Sequence, residues 1–221
     1  MKSIDLHIHT TASDGTFSPR ELVDYAIKKH LSAIAITDHD TMSGIKEALE
    51  YIETEQLPLQ LIPGIEISTA APGEYFGFHI LGYFFEKDSE KRDVILHDLE
   101  IDLSRSSGCP EDAIKIVAKY GGVSSLAHPL EYCLSPQELN KQVQELASFG
   151  LNGIEAIYTT HSTEMTTQFK KIAEQSGLII TGGSDFHGKH KPGVDLGTGF
   201  GDLQIPYYIV DSLDKLAKPI G

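Results

Sequence analysis

The sequence is poor in the residues that stabilise small extracellular domains or bind nucleic acids broadly. Only two of its 221 residues are cysteines, Cys109 and Cys133, which make no disulfide framework. Both thiols are expected to be partly buried and not to bind metal. Lysine and arginine total 18 against 32 aspartate and glutamate residues, for a net charge of −14. Such an acidic chain is not expected to offer a basic face to long nucleic acids.

Long hydrophobic runs are also missing. No apolar run approaches the roughly 20 residues that a membrane-spanning helix needs. The first residues, MKSIDLHIHTTASDG, carry histidines where a signal peptide would carry leucines. Both observations predict an intracellular, cytoplasmic protein without a membrane partner. The length and the ordinary hydrophobic fraction of 40% predict one globular domain over residues 1–221.

Strand-like and helix-like segments alternate along the chain. Strands are predicted at 3–8, 32–37, 59–69, 75–85, 122–127, 153–158, 178–182 and 206–210. Helices are predicted from Ser18 to about Lys29, at about 44–56, 88–104 and 111–120, from Ser135 to about Phe149, at about 163–176, and from Asp211. A turn is predicted at 71–74 and a glycine-rich loop at 183–202. The alternation predicts an α/β fold with a mainly parallel sheet, closed into an irregular barrel.

Histidines and carboxylates stand where the predicted strands end. His7 and His9 lie on one face of the first strand together with Asp5, because strand side chains alternate. Five more predicted segments supply residues of the same kind: Asp38, His39, Glu66, His79, His128, Asp185 and His187. Since strand ends meet at one rim of a barrel, this placement predicts a metal site there.

The residue types narrow the metal and the chemistry. Imidazole and carboxylate ligands without thiolate suit Mn²⁺, Zn²⁺ or Fe²⁺. The candidates outnumber the ligands of one ion, so two to three divalent ions are expected. Two ions about 3.5–4 Å apart can clamp the oxygens of a phosphoryl transfer and activate a water molecule. The pattern therefore predicts phosphoester hydrolysis by a metal-bridging hydroxide.

Seven stretches together resemble one family. They are DLHIHTTASDGTFSP (5–19), AIAITDHDTMSG (33–44), PGIEIS (63–68), FHILGYFF (78–85), GGVSSLAHP (121–129), IEAIY (154–158) and TGGSDFHG (181–188). In this order they resemble the PHP (polymerase and histidinol phosphatase) family, within it the small-molecule phosphoesterase branch. The resemblance implies a distorted (β/α)7-type barrel with a trinuclear metal site.

The resemblance also assigns ligands to each ion. The first ion would be held by His7, His9, Glu66 and Asp185, the second by Glu66, His79 and His128, and the third by Asp14, His39 and His187. Some relatives have histidine at the position of Asp14. The ions would carry more positive charge than these carboxylates neutralise, and would therefore attract a phosphate dianion.

Four further residues receive expected roles. Asp5 and Asp38 are expected to orient histidine rings from behind, and Asp38 thereby to assist catalysis. His161, in YTTHSTEM, matches a histidine that relatives carry near the substrate. It is expected to bind phosphate or to protonate the leaving group; the alternative is a solvated residue at a helix start. Arg105 is a candidate for gripping a second phosphate, or else a solvated helix charge.

The resemblance implies a small phosphorylated substrate. Similar proteins cleave phosphate from nucleotides, including nucleoside 3′,5′-bisphosphates, and some trim short RNA, so a nucleotide or a short oligonucleotide is expected. Those relatives carry a longer helical insertion with an Arg-Pro-His-like stretch, whereas the segment 86–120 is short and lacks that stretch. The site is therefore expected to be more open and less selective.

Three other functions stay open. Histidinol-phosphate phosphatase activity is an alternative within the same class. A metal-dependent amidohydrolase also opens with a His-x-His motif, but often uses a bridging lysine from a strand end, and no such lysine is evident. A non-catalytic metal-binding or interaction module would be expected to lose ligands, whereas every expected ligand position is filled here.

Overall fold

The computed structural model describes residues 2–70 and 77–218. In these ranges the strands are β1 Ser3–Asp5, β2 Leu31–Ile36, β3 Gln60–Ser68, β4 His79–Tyr83, β5 Val123–Leu126, β6 Gly153–Tyr158 and β7 Ile179–Gly183. The α-helices are α1 Pro19–Lys28, α2 Ser43–Thr54, α3 Ser89–Arg105, α4 Pro110–Lys119, α5 Pro136–Ser148, α6 Thr163–Ser176 and α7 Tyr208–Leu216. Two short 3-10 helices, Pro129–Tyr132 and Gly188–His190, follow β5 and β7.

The strands form one sheet in the order β1 to β7, which nearly closes into a barrel. Past the ends of the outer strands, Leu6 N–H donates to Gly182 O at 3.3 Å and Asp185 N–H to His7 O at 2.8 Å. The expected α/β barrel is confirmed. Its distortion is β4, which runs antiparallel to β3 and β5, while the other neighbours are parallel.

The strands are buried on both faces, as their apolar composition requires. In β2, Ile34 and Ile36 pack into the larger core cluster, which includes residues from α1 to α6. Ala33 and Ala35, which point the other way, belong to a second cluster that includes α7. Layers of apolar side chains on both faces of the sheet fix the strand ends, and hence the polar residues that follow them.

Capping boxes begin α1 and α5, the helices predicted from Ser18 and from Ser135. Ser18 accepts from the Glu21 backbone N–H while the Glu21 carboxylate accepts from the Ser18 N–H, and Ser135 and Glu138 repeat the arrangement. Proline occupies the first turn of both helices, where its missing N–H costs nothing. None of the helices in the described part of the chain is both long and apolar enough to cross a membrane.

The strand predicted at 206–210 is wrong. Residues from Tyr208 onward form α7, because Ile209, Val210 and Leu213 bury one helical face. Pro206 makes only an isolated bridge to Ser3. Of the strand predicted at 75–85, residues 79–83 are confirmed. Residues 75–76 and the turn predicted at 71–74 lie outside the described residues.

Asp5 ties the first strand to the loop after the last one. Its fully buried carboxylate accepts from Ser184 N–H at 2.9 Å, Ser184 Oγ at 2.5 Å and Gly197 N–H at 2.8 Å, and also from its neighbour His7 N–H at 3.3 Å. Burial raises the pKa of Asp5 to about 6, and these hydrogen bonds oppose that rise. The carboxylate therefore helps to close the barrel.

We expect Asp5→Asn to lower the free energy of unfolding by about 1–3 kcal/mol, because an amide N–H₂ would face buried donors that now have an acceptor. Urea unfolding at pH 7 measures the change. Asp202→Asn, at an exposed position, is the control and should stay within about 0.5 kcal/mol of wild type. Equal stability of all three proteins would contradict this role of Asp5.

Candidate metal centre

The nine predicted ligands lie together at one rim of the barrel. They arrive from the segment after β1, the end of β2, β3, β4, the end of β5 and the segment after β7. The reversal of β4 explains why His79, its first residue, reaches the same rim that the other strands reach with their last residues. The predicted convergence of these segments is therefore observed in the fold.

Glu66 lies at the centre of the cluster and is 1% exposed. Its Oε2 is 2.9 Å from His7 Nε2, 3.0 Å from His9 Nε2 and 3.6 Å from His39 Nδ1. Its Oε1 is 2.9 Å from His79 Nδ1 and 2.8 Å from His128 Nε2. Each of these contacts therefore joins a carboxylate oxygen of Glu66 to an imidazole nitrogen.

Two further carboxylates flank Glu66. Asp185 Oδ1 lies 3.6 Å from His7 Nε2, 3.4 Å from His9 Nε2 and 3.2 Å from His187 Nδ1. Asp14 is 54% exposed, with Oδ1 3.3 Å from His187 Nε2 and 3.5 Å from His9 Nδ1. The cluster therefore has a buried end at Glu66 and Asp185 and an open end at Asp14.

The potential ligand atoms form three overlapping groups, each compact enough for one ion. The groups are His7, His9, Glu66 and Asp185; His39, Glu66 and His79; and His9, Asp14, His39 and His187. The first coincides with the set that the family resemblance implies for the first ion. The others differ from the implied sets, since His9 joins the Asp14 group and His39 takes the place of His128 beside His79.

Hydrogen bonds place the ring proton of His7 and His187 on Nδ1, the nitrogen that points away from the centre of the cluster. His187 Nδ1 donates to the backbone oxygen of Asp185 at 2.9 Å, and His7 Nδ1 contacts the Glu155 carboxylate at 3.1 Å. In a neutral ring the lone pair then lies on Nε2, which in both residues faces carboxylate oxygens of the cluster. Lone pairs directed at carboxylates need a proton or a cation between them.

Several ring nitrogens have no such partner. His9 Nδ1 and Nε2, His39 Nδ1 and His128 Nδ1 are buried, and although carboxylate oxygens lie 3.0–3.6 Å from them, none of these contacts among the described residues has the geometry of a hydrogen bond. An unsatisfied buried polar group costs about 1–3 kcal/mol, so a folded protein rarely keeps several together. Unpaired imidazole nitrogens around shared carboxylates are the donor set of a divalent metal site. The residues present therefore fit metal ions.

The electrostatics support the same assignment. Burial alone would lower the pKa of His7, but Glu66, Glu155 and Asp185 raise it well above its usual range. Burial alone would raise the pKa of Glu66, but His7 and His128 hold it well below its usual range. The carboxylates thus demand positive charge, which protons supply to the rings when no ion does. Metal binding would displace those protons.

Glu155 is a functional residue that the sequence analysis missed. Its carboxylate holds His7 Nδ1 and accepts from the His128 backbone N–H at 2.8 Å, and it is completely buried. It therefore fixes two candidate ligands at once. The available signal was a single glutamate within the otherwise apolar strand IEAIY.

Tyr158 and Lys191 were also missed. The Tyr158 hydroxyl lies 2.7 Å from Asp185 Oδ2 and 2.7 Å from Glu131 Oε1, and its one proton can serve only one of them at a time. Lys191 Nζ contacts Asp185 Oδ2 and lies 3.3 Å from the Tyr158 hydroxyl. These contacts hold Asp185 Oδ2 so that Oδ1 faces the histidines. Lys191 reaches Asp185 from a loop, not from a strand end.

Asp5 and Asp38 hold backbone and hydroxyl groups, in contrast to the predicted contact with histidine rings. Asp38 is 1% exposed and accepts from Thr10 N–H at 2.7 Å, Thr10 Oγ1 at 2.7 Å and Ser13 Oγ at 2.6 Å. These bonds fix the turn that carries Asp14. In the described ranges it is Glu155 that holds a ring from behind, as was predicted for Asp5 and Asp38.

His161 packs beside the cluster without contacting a candidate ligand atom. Its ring lies 5.2 Å from the Tyr158 ring and 4.6 Å from the Phe169 ring. Nδ1 donates to Ala156 O at 3.1 Å, while Nε2 is buried and has no hydrogen-bond partner among the described residues. Burial lowers the pKa of His161, which favours the neutral ring with the lone pair on Nε2. The predicted roles in phosphate binding or proton donation would require a proton on Nε2.

Arg105 lies at the exposed end of α3. Its guanidinium makes no hydrogen bond or ion pair within residues 2–70 and 77–218. The cleft beside His79 is lined by Cys109 and Pro110, which follow Arg105 in the chain, but not by Arg105 itself.

Comparisons with known proteins agree with this geometry. The PHP domain model matches residues 5–98. The 5′-3′ exoribonuclease Rnm of Escherichia coli is 29% identical, with 87% of each chain covered. That alignment runs over 259 residues, more than this chain contains, so the relative carries insertions. The 3′,5′-nucleoside bisphosphate phosphatase of Chromobacterium violaceum is 23% identical over 89% of this chain and 91% of its own.

A solved structure shares the fold across the whole chain. It is a predicted metal-dependent phosphoesterase from Bifidobacterium adolescentis, with a TM-score of 0.76, 24% identity, and coverage of 99% of this chain and 98% of the other. Together, these comparisons show that the chain is similar to PHP-domain proteins: the domain model matches residues 5–98, the two relatives align over most of both chains, and the solved structure shares the barrel fold.

Proposed function

We propose that this protein is a metal-dependent phosphoesterase that releases phosphate from small phosphorylated molecules, with nucleotides as the substrate class. One observation carries the proposal: both oxygens of the buried Glu66 contact histidines that come from four different strand segments. The exoribonuclease and the nucleoside bisphosphate phosphatase named above act on RNA and on nucleoside bisphosphates, which supports a phosphate ester of a nucleotide as the substrate.

The three residue groups described above would hold up to three ions, for which Mn²⁺, Zn²⁺ and Fe²⁺ are the candidates. His128, whose Nε2 lies 2.8 Å from Glu66 Oε1, would add a further ligand on that side of Glu66. When bound, the ions supply the positive charge and the activated water that phosphoester hydrolysis needs.

The exposed members of the cluster define where a phosphate approaches. His7 and His9 are fully buried, whereas the side chains of His39, His79 and Asp14 are 27%, 32% and 54% exposed. The substrate therefore enters from the side of these three residues. Glu155, Lys191 and Tyr158 lie behind the cluster and keep the ligands in position, so little reorganisation is needed when the phosphate arrives.

We expect the protein, purified without chelator and supplied with Mn²⁺, to release phosphate from a panel of nucleotides and sugar phosphates. His9→Ala should lower kcat/KM by about a hundredfold or more, because His9 belongs to two of the three ligand groups. His97→Ala, at an exposed position of α3, is the matched control and should leave the rate unchanged.

Metal analysis separates the possible failures of that experiment. Stoichiometric metal without turnover of any phosphate ester would favour an amidohydrolase or a non-catalytic metal-binding module. Absence of stoichiometric metal after reconstitution would contradict the metal centre itself. Histidinol phosphate belongs in the panel, and preferred turnover of it would replace nucleotides as the substrate class.

Glu155→Gln should weaken metal affinity by about 10- to 100-fold, because an amide holds the His7 ring and the His128 backbone less well than a carboxylate does. Competition with a chromophoric chelator measures the affinity. Glu174→Gln on the exposed side of α6 is the control. Unchanged affinity in Glu155→Gln would show that Glu155 does not support the metal ligands.

His161→Ala should lower kcat at pH 7 by less than about tenfold and leave the metal content unchanged, because burial lowers the pKa of His161 and its Nδ1–H already donates to Ala156 O. Steady-state kinetics on the best substrate give kcat and KM separately. A loss of about a hundredfold or more in kcat would restore His161 as the leaving-group acid, and unchanged kcat and KM would remove any role.

A further inference from the structure

A cleft of about 1000 Å³ opens beside the metal centre. His79 and His128 form part of its wall, so a phosphate bound at the centre would place the rest of its substrate within reach of the cleft. The remaining lining comes from the start of α4, the 3-10 helix after β5 and the inner side of α5. The reacting phosphate would lie at the metal centre, so this space is left for the rest of the substrate.

Aromatic side chains give the cleft a firm apolar wall. Phe78, Tyr132 and Phe149 line it, together with Leu134 and Leu146. The rings of Phe78 and Tyr132 meet edge to face at 4.8 Å, and the His79 backbone N–H donates to the Tyr132 hydroxyl at 2.8 Å. These contacts fix the rings, which could stack on a flat group of the substrate.

Apart from the candidate metal ligands His79 and His128, the ionisable side chains along the cleft are acidic or thiols. Among the described residues its lining includes no lysine or arginine but three glutamates, Glu111, Glu131 and Glu145. Lys115 pairs with Glu111, and Glu131 lies against Tyr158. The Glu145 carboxylate has no hydrogen-bond or ion-pair partner in the described part of the chain, although the backbone oxygen of this residue accepts from Ser148 Oγ.

We propose that this cleft binds the leaving group of the substrate, and that this group is flat, partly apolar, and uncharged or cationic. The proposal rests on the proposed phosphoesterase function. Aromatic walls and carboxylates attract such a group, whereas they repel a second phosphate away from the metal ions. Among nucleotides, the cleft therefore favours nucleoside monophosphates over 3′,5′-bisphosphates and over RNA.

Three aryl phosphates test the charge preference with a constant reacting group. O-phosphotyramine, 4-ethylphenyl phosphate and 3-(4-phosphonooxyphenyl)propionate carry a positive, neutral or negative group two carbons from the same ring. We expect kcat/KM to fall in that order, by about tenfold or more from first to last. A nucleoside monophosphate should likewise exceed the matching 3′,5′-bisphosphate by about tenfold. The reverse order in both series would overturn the proposal.

Charge reversal inside the cleft locates the effect. Glu145→Lys should reduce the preference for the cationic over the anionic aryl phosphate by about tenfold, while Glu53→Lys, on the exposed face of α2, should leave it unchanged. Equal effects of both variants would show that the preference comes from the net charge of the protein. A bisphosphate preference that Arg105→Ala abolishes would overturn the proposal in favour of Arg105.

Binding can also be measured without turnover. Cys109 and Cys133, the only cysteines of the chain, both line the cleft, so iodoacetamide labelling followed by mass spectrometry reports its occupancy. Tyramine should slow labelling at concentrations where 3-(4-hydroxyphenyl)propionate does not. Such protection without phosphatase activity would refute the proposed function and retain the cleft assignment. Phosphatase activity with protection by 3-(4-hydroxyphenyl)propionate alone would retain the proposed function and refute the cleft assignment.

Discussion

The burial of one carboxylate, that of Glu66, is the constraint on which the rest of this structure depends. A carboxylate with 1% exposure is stable only when positive charge and hydrogen-bond donors surround it. Five histidines from four strand segments provide that surrounding, and each is placed by the strand that carries it or precedes it. The barrel therefore brings these rings to one point, because its strand ends meet at one rim.

The convergence of these residues around Glu66 could be predicted from the sequence because the signals are local. A ligand-type residue at the end of an apolar strand, such as His128 after SSLA, can be recognised without knowing its neighbours. Glu155 could not be found in this way, because its role depends on a contact with His7, 148 positions away in the sequence. Lys191 lies close to Asp185 in the sequence, but their contact depends on how the loop between them folds. The error at 206–210 has a related cause. Tyrosine, isoleucine and valine favour strands, but packing of Ile209 and Leu213 into the core overrides that preference.

Some of the fold's stability is given up at the centre. His128 and Asp185 adopt φ values of 23° and 58°, in a region that costs non-glycine residues about 1–3 kcal/mol each. Both are candidate ligands, and both are held by a buried hydrogen bond, His128 N–H to Glu155 and Asp185 N–H to His7 O. Gly183 adds a further constraint, since a Cβ there would lie 2.1 Å from His7 Cβ. The backbone is thus strained where the side chains must converge.

Charge is distributed unevenly between the centre and its surroundings, and this explains how an acidic chain can act on an anion. The overall charge of −14 repels polyanions at a distance, and the glutamates of the cleft extend that repulsion to within reach of His79. Bound ions would reverse the sign only over the few ångströms around Glu66, because the carboxylates behind it are already paired with histidines, Tyr158 and Lys191. A single phosphate would be attracted by that small positive region without approaching the negatively charged surface. Under the proposal made above, selectivity for one phosphate group would arise from what surrounds the ions as much as from the ions themselves.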